Sequence, residues 1–364
     1  MKIRRTLRIL GIFFILSLVA ACVKVDVPDP PSGPGEPGET PPTFVPYQKM
    51  EFTAERKILN SHATNFEAMF ITDNEYIRVD RNLDIVEKRP LDATQNLYGR
   101  PALNDNSFAR LTEDGNSRQI LEFHLTRNPQ EVRKFTIVNL PMLDDSEHVE
   151  VDFQGRHFGA FSDNGVYFLL ATKTYPNFHY TCFIFELRHT STFNNFNNIE
   201  VIHRVEIPEL DAEFANLSAI RFVDGNWYLA TKNGGYRIRP DGISEKILSP
   251  WIIDYFETNG TLYATGFEAF NFYESVNNGR DWTRVEGGSE LNYVETAGDH
   301  LFTQDNTGRQ YQLADETLQK AQPVIYNTEF PDDPDTYVIA DFFNGLYFFS
   351  VHKEIYHNTV ILTE

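Results

Sequence analysis

SAIRFVDGNWYLATKNGGYRIRPDGISEKI, residues 218–247, reads as four short strands separated by three turns. Ile220 and Phe222 alternate with Ala219 and Arg221, the period-two pattern of a half-buried strand. Asp224-Gly225-Asn226 is a tight-turn signal, because Gly and Asn accept the positive φ that a hairpin demands. Trp227 to Thr231 is a second strand, aromatic and apolar enough to be buried on both faces. Gly234-Gly235 marks the next turn and Tyr236-Arg237-Ile238 a third strand. Pro240-Asp241-Gly242 is a third turn, and Ser244 to Ile247 a fourth strand. Four antiparallel strands joined by hairpins make a meander sheet.

The step from turn to aromatic recurs. It is present at Asp163 to Phe168, Asn259 to Tyr263, Gly298 to Phe302 and Asn344 to Tyr347, with poorer copies at Asp73 to Tyr76 and Asn104 to Phe108. The aromatic anchors Tyr76, Phe108, Tyr167, Tyr228, Tyr263, Phe302 and Tyr347 are spaced by 32, 59, 61, 35, 39 and 45 residues. The mean lies near the roughly 40–45 residues of a four-stranded propeller blade. Residues 49–364 are therefore expected to form an all-β domain, a single β-propeller of about seven four-stranded blades. Six or eight blades are alternatives, as is a β-sandwich or a pair of stacked β-domains, because Asn-Gly and Asp-Gly turns occur in every antiparallel fold. Closure of the ring is expected from Met50 to Leu59 pairing with Thr359 to Leu362. The two longest spacings are expected to hold insertions, with Asn139 to Glu150 and Phe193 to Asn198 as the candidate loops.

Residues 1–21 read as a signal peptide. Lys2, Arg4, Arg5 and Arg8 form a basic start, and Ile9 to Val19 is an apolar run too short for a comfortable membrane span. Val19-Ala20-Ala21-Cys22 resembles a bacterial lipobox, which implies cleavage before Cys22 and lipid on its thiol and new amino group. The acyl chains would anchor the protein to a lipid bilayer by burying methylenes at about 0.8 kcal/mol each. Residues 22–48 follow as a tether, with Pro28, Pro30, Pro31, Pro34, Pro37, Pro41, Pro42 and Pro46 interleaved with Gly33, Gly35 and Gly38. Such a segment lacks the apolar groups to fold and favours extended conformers. Its Asp26, Asp29, Glu36 and Glu39 resemble the acidic stretch that routes lipoproteins of Bacteroides-type bacteria to the cell surface. The expected location is thus the outer membrane or cell surface.

Ser275-Val276-Asn277-Asn278-Gly279-Arg280-Asp281-Trp282 resembles the Asp-box of sialidase-type propellers (BNR-like), whose pattern is Ser, any, Asp, any, Gly, any, Thr, Trp. Ser275, Gly279 and Trp282 fit; Asn277 replaces the usual Asp and Asp281 the usual Thr. The box is structural: a short polar side chain caps a tight turn, Gly supplies the positive φ and Trp packs into the blade edge. Pro240-Asp241-Gly242 is a candidate degenerate copy. The resemblance raises glycoside hydrolysis as the enzymatic alternative. It implies an arginine cluster for the substrate carboxylate, a Tyr–Glu nucleophile pair and an Asp acid/base. The family's early Arg-Ile-Pro motif is missing, and Gly99-Arg100-Pro101 is its nearest approach, so no catalytic residues are nominated.

The chain of 364 residues carries a formal charge of −20, and loss of the signal peptide, with four basic residues and no acidic one, takes it to −24. Phosphate repulsion at that charge argues against nucleic acid. With Cys22 lipidated, Cys182 stands alone and is expected to be a buried inert thiol. His148, His157 and His179 are scattered, with no metal-binding or phosphate-binding spacing and no G-x-S-x-G elbow. No cofactor or metal site is expected; Pro331 to Asp335, a candidate for oxygen ligation, reads more simply as a charged turn. Function is expected in binding or assembly, with a glycan or an envelope protein as partner. The aromatic runs Phe267 to Tyr273 and Tyr175 to Tyr180 could supply contacts, or could be buried strand.

Overall fold

The computed structural model describes residues 47–51, 53–92, 97–128, 130–151, 157–211, 216–267, 272–285, 293–304, 311–314, 318, 321–323, 338–351 and 353–359. The lipobox with Cys22, the tether up to residue 46, Pro331 to Asp335 and Val360 to Leu362 lie outside them.

Seven antiparallel meander sheets form the blades of a β-propeller. Blade one comprises Asn60–Ala63, Glu67–Ile71, Glu75–Asp80 and Ile85–Pro90. Blade two comprises Leu97–Leu103, Ser107–Glu113, Gln119–Leu125 and Val132–Thr136. Blade three runs from inner strand Gly159–Phe161 through Tyr167–Tyr175 and His179–His189 to Phe196–Asp211. Blade four is Leu217–Val223, Asn226–Thr231, Gly234–Ile238 and Ser244–Leu248. Blade five is Ile252–Thr258, Thr261–Gly266, Phe272–Ser275 and Thr283–Val285. Blade six is Val294–Ala297, His300–Gln304, Tyr311–Ala314 and Ala321–Pro323. Blade seven is Val338–Phe343, Leu346–Val351 and Glu354–Asn358, completed on its outer edge by Gln48–Lys49 from the start of the domain.

The termini therefore close the ring in one blade, with Gln48 opposite His357 and Lys49 opposite Tyr356. The strands are not those expected. Met50 to Leu59 is a connector rather than a strand, held by Met50 N–H to the Ile355 carbonyl and Ala54 N–H to the Lys353 carbonyl, each at 2.9 Å. Its buried Met50, Ala54 and Ile58 serve the core between blades seven and one, not a period-two face. The C-terminal partner, Glu354–Asn358, precedes Thr359.

Each of the seven aromatic anchors falls in a different blade. Six sit on second strands, whereas Tyr76 sits on the third strand of blade one, which shortens the first spacing. The first long gap holds a single 3-10 turn, Ile137–Asn139, and an extra strand, His148–Glu150. The second is filled by strand length: the outer strands of blade three run to 11 and 16 residues, against 5 each in blade four. Gly234-Gly235 is not a turn. Lys232-Asn233 turns, and both glycines lie in the strand, where a side chain would meet the Leu248 carbonyl at Gly234 and the Tyr255 hydroxyl of blade five at Gly235.

The core lies between blades. Leu169, Cys182 and Ile184 of blade three pack on Ile220, Trp227 and Leu229 of blade four, and the Trp227 indole N–H donates to the Ala160 carbonyl at 3.0 Å. Fully burying such side chains stabilises by about 1.5–3 kcal/mol each. Burial pushes the Cys182 thiol far up, keeping it protonated. Blades one and two are joined differently, by a buried stack of rings, with Tyr76 on Phe108 at 5.3 Å and Phe108 on His124 at 4.5 Å. Beside it Arg110 Nε donates to Glu122 at 2.6 Å, with both side chains buried.

Candidate binding surfaces

The meander gives the ring two unlike faces. One carries the turns between first and second and between third and fourth strands; it is called the hairpin face here. The other carries the turns between second and third strands and the crossings to the next blade.

The inner strands line a central channel, and a cavity of about 380 Å³ in it is walled by Asn60, His62, Ala102, Asp105, Ala160 and Arg221, among others. A second, of about 300 Å³, lies against Arg221, Asp224, Tyr255, Glu257 and Val294. Their lining includes the hairpin-face turn residues Asp105, Asp163 and Asp224, and also Asn60, Gly159 and Val294, which begin their inner strands at the crossing end. Charge in the channel is largely paired. Arg221 holds Asp254 in a two-pronged bridge at 2.8 and 2.7 Å and also donates to the Val294 carbonyl at 2.8 Å. Arg100 of blade two reaches Glu295 of blade six, on the opposite side of the ring. Such bidentate and charge-assisted contacts fix both partners.

The remaining acids feel one another. Burial pushes the Asp341 carboxyl up to about 6; Glu295 adds to this, while His62, the Phe342 N–H and the Ser61 hydroxyl act against it. Burial and then Asp224 raise Asp163. Asp105 is lowered, chiefly by its hydrogen bond with His62 at 2.8 Å. Among the described residues the inner strands offer two arginines, both held by carboxylates. The three arginines with a Tyr–Glu pair implied by the sialidase resemblance are not assembled there. Tyr255, the tyrosine against the second cavity, turns its hydroxyl towards Gly235 of blade four, between the sheets.

The crossing face is uneven. His148–Glu150 pairs with the overhang Lys173–Tyr175 of blade three, so this blade stands as a raised wall. Arg204 braces it by gripping Glu147 at 2.7 and 2.8 Å and the Met142 carbonyl at 2.8 Å. The wall ends in rings: His148 stacks on Tyr175 at 4.9 Å, and Phe178, 49% exposed, meets Tyr175 edge-on at 5.1 Å. Of the aromatic run Tyr175 to Tyr180, Phe178 is thus exposed while His179 and Tyr180 are buried. A second aromatic site lies between blades four and five. Phe267 is 50% exposed and stacks face to face on Trp251 at 3.6 Å with 6° between the planes. Lys232 Nζ sits 5.6 Å from the centre of the Trp251 ring. Of the run Phe267 to Tyr273, Phe272 is buried and residues 268–271 are outside the described set.

Ser275, Asn277, Gly279 and Trp282 lie on the opposite, hairpin face, in the turn between the third and fourth strands of blade five. The Gly279 N–H donates to Ser275 Oγ at 2.9 Å, the Asp281 N–H to Asn277 Oδ1 at 2.9 Å, and the Trp282 indole N–H to the Gly279 carbonyl at 3.1 Å. Gly279 has φ +71°. The Asn278 carbonyl faces blade four, accepting from the Tyr228 hydroxyl at 3.1 Å and from the Arg237 guanidinium. The turn therefore also ties two blades together.

No local pattern marks Arg221, Asp254, Glu295 or Asp341, because each acquires its setting from a distant inner strand. Trp251 and Phe267 were traceable in principle: an aromatic just before a first strand and another just after a second strand fall on the same face.

No protein-family model matches the chain, and no curated protein matches it. Solved structures do. The β-propeller domain of Cps50 (Swd1) from Myceliophteria thermophila matches with a TM-score of 0.54 at 10% identity, covering 86% of this chain and 100% of that one. YCF48 bound to D1 peptide matches with a TM-score of 0.50 at 10% identity, covering 87% of this chain and 96% of that one. At these identities the likeness shows the fold: the chain is a β-propeller.

Proposed function

We propose that this chain is an exported lipoprotein, anchored through Cys22 to the outer membrane or cell surface of a Bacteroides-like bacterium. In this reading its β-propeller binds a glycan or an envelope protein on a face of the ring without turning it over. One observation carries the choice of binding over catalysis: both inner-strand arginines, Arg100 and Arg221, are already held by Glu295 and Asp254. Receiving a substrate carboxylate there would require breaking a charge-assisted pair within the wall of the channel, a cost of several kcal/mol. The exposed rings of the crossing face need no such rearrangement.

The test is a glycan array on the compact unit Pro46–Glu364, run beside a panel of fluorogenic glycosides and an envelope pull-down. Saturable binding without turnover supports the reading. Hydrolysis of any glycoside overturns it in favour of a sialidase-like hydrolase, for which the raised Asp341 would be the candidate acid. The anchor is tested by labelled palmitate: incorporation should be lost in Cys22→Ala, and incorporation that persists in that variant refutes attachment at Cys22.

A further inference from the structure

We propose that the Trp251–Phe267 pair is a sugar-stacking subsite, taking the flat C–H face of a pyranose ring within a neutral glycan chain. The inference rests on the binding reading above and narrows it to one place and one chemistry. Two aromatic rings held parallel at 3.6 Å present a single flat surface. Phe267 covers one side of Trp251, so the outer side of Phe267, itself half exposed, is the face left for a ligand. The platform is held from behind: the Phe267 N–H donates to the Trp251 carbonyl at 3.1 Å, continuing the ladder of blade five. A ring fixed by its backbone loses little freedom on binding, which favours affinity.

The surroundings argue for a sugar rather than a protein side chain. Protein anchors sink into pockets, whereas this surface is flat and about one ring wide. A pyranose offers an apolar face of axial hydrogens and a rim of hydroxyls. The rim beside this platform is polar. Lys232 is exposed over Trp251, Asn233 follows it in the same turn, and the Lys232 N–H is fixed on the Asn216 carbonyl at 3.1 Å. An ammonium and an amide suit hydroxyl groups as hydrogen-bond partners. The Trp251 indole N–H is enclosed without an acceptor among the described residues. Leaving a buried donor unpaired is costly, and keeping a Trp at that cost fits a residue retained for its ring face. The overall charge of −20 disfavours an acidic polysaccharide, leaving neutral chains.

The test uses the full chain in detergent and four neutral probes: hexasaccharides of β-1,4-linked glucose, xylose, mannose and N-acetylglucosamine. Binding is read by calorimetry, and the Trp251 indole N–H is followed by NMR, assigned through Trp251→Phe. The expected result is saturable binding of at least one probe with a shift of the Trp251 signal. Phe267→Ala should weaken it at least tenfold, Phe267→Tyr should retain it, and Phe66→Ala, at an exposed ring on the hairpin face, should leave it unchanged. Binding that survives Phe267→Ala, or that is lost instead in Phe178→Ala, overturns the subsite while leaving the binding reading intact. No binding of any probe by the parent chain overturns the sugar assignment outright. The envelope pull-down then decides separately whether the module binds a protein. Thermal unfolding of each variant separates loss of the site from loss of the fold.

Discussion

Gly235 is the position where a single methyl group should do the most damage. A Cβ placed there would lie 1.8 Å from the Tyr255 hydroxyl oxygen, 3.1 Å from Tyr255 Cζ and 3.3 Å from Leu248 Cβ. Ordinary contact needs roughly 3.5 Å, so the hydroxyl must retreat by about 1.7 Å. It has nowhere to go: Tyr255 is fully buried, with Tyr228 at 5.3 Å and Trp282 at 6.0 Å. Overpacking of this kind costs about 1–3 kcal/mol, and Gly235→Ala is expected near the upper end. The partner substitution has the opposite sign. The Tyr255 hydroxyl is buried without a hydrogen-bond partner among the described residues, an arrangement that costs about 1–3 kcal/mol. Tyr255→Phe should therefore be neutral or stabilising. In the double variant the nearest approach becomes the 3.1 Å contact to the ring carbon, so most of the loss should be recovered. The resulting coupling energy is about 2 kcal/mol, well beyond the scatter of about 0.3–0.5 kcal/mol for independent sites. Urea titration followed by tryptophan fluorescence measures all four corners of the cycle. A Gly235→Ala variant within 0.5 kcal/mol of the parent, or one that Tyr255→Phe fails to rescue, would show that this blade contact is not what requires glycine.

Three further outcomes follow from named contacts. Burial alone would raise the Glu122 carboxyl, but the hydrogen bond with His124, the Arg110 guanidinium and Lys134 together hold it at about 2, below the ordinary 4.5. A depressed acid stabilises fully above its unfolded value and loses that contribution as pH falls, so acid titration should show stability falling between about pH 4.5 and 2. Glu122→Gln should flatten this limb while lowering stability at pH 7 by about 3 kcal/mol, because it leaves Arg110 buried beside a neutral amide. Asp341 has the reverse sign: its carboxyl, raised to about 6, penalises the fold as pH rises from 4 to 7. Asp341→Asn should remove that slope in thermal melts, and an unchanged slope would refute the assignment. Gly279→Ala meets both φ +71° and the Tyr228 ring at 2.9 Å, so it should cost about 2 kcal/mol by urea titration, whereas Gly225→Ala, at φ +78° with open space around it, should cost about 1 kcal/mol.

Much of the ring was legible because its hairpins are local. The turn at Asp224-Gly225-Asn226 and the aromatic strand after it lie within ten residues, and the same local step located one strand in every blade. What lay beyond reach was whatever one blade does to another. Gly234-Gly235 carries the composition of a turn, yet Gly235 answers to Tyr255, some twenty residues away, and Gly234 to the Leu248 carbonyl. Arg100 and Glu295 face each other from opposite sides of the ring, and no spacing rule connects them. The closing strand was misplaced for a related reason. Met50, Ala54 and Ile58 are apolar, but they plug the gap between two sheets while the two-residue pairing at Gln48–Lys49 completes the last one.

That closing strand also determines how the domain would bear a load. If Cys22 is fixed in a membrane, any drag on the propeller is carried through the chain into Gln48–Lys49 before it reaches another strand. The clasp there includes two ladder positions, the Lys49–Glu354 ion pair, the Met50 and Ala54 backbone bonds and the edge-on contact of Tyr47 with Phe349 at 5.2 Å. The six blades from Asn60 to Pro323 are each built from consecutive strands, and blade one shares packing with the clasp through Met50 and Ala54. Under tension the molecule thus has a designated weak link: the seventh blade sheds its outer strand first, and the ring gives way at one seam while its other sheets stay folded.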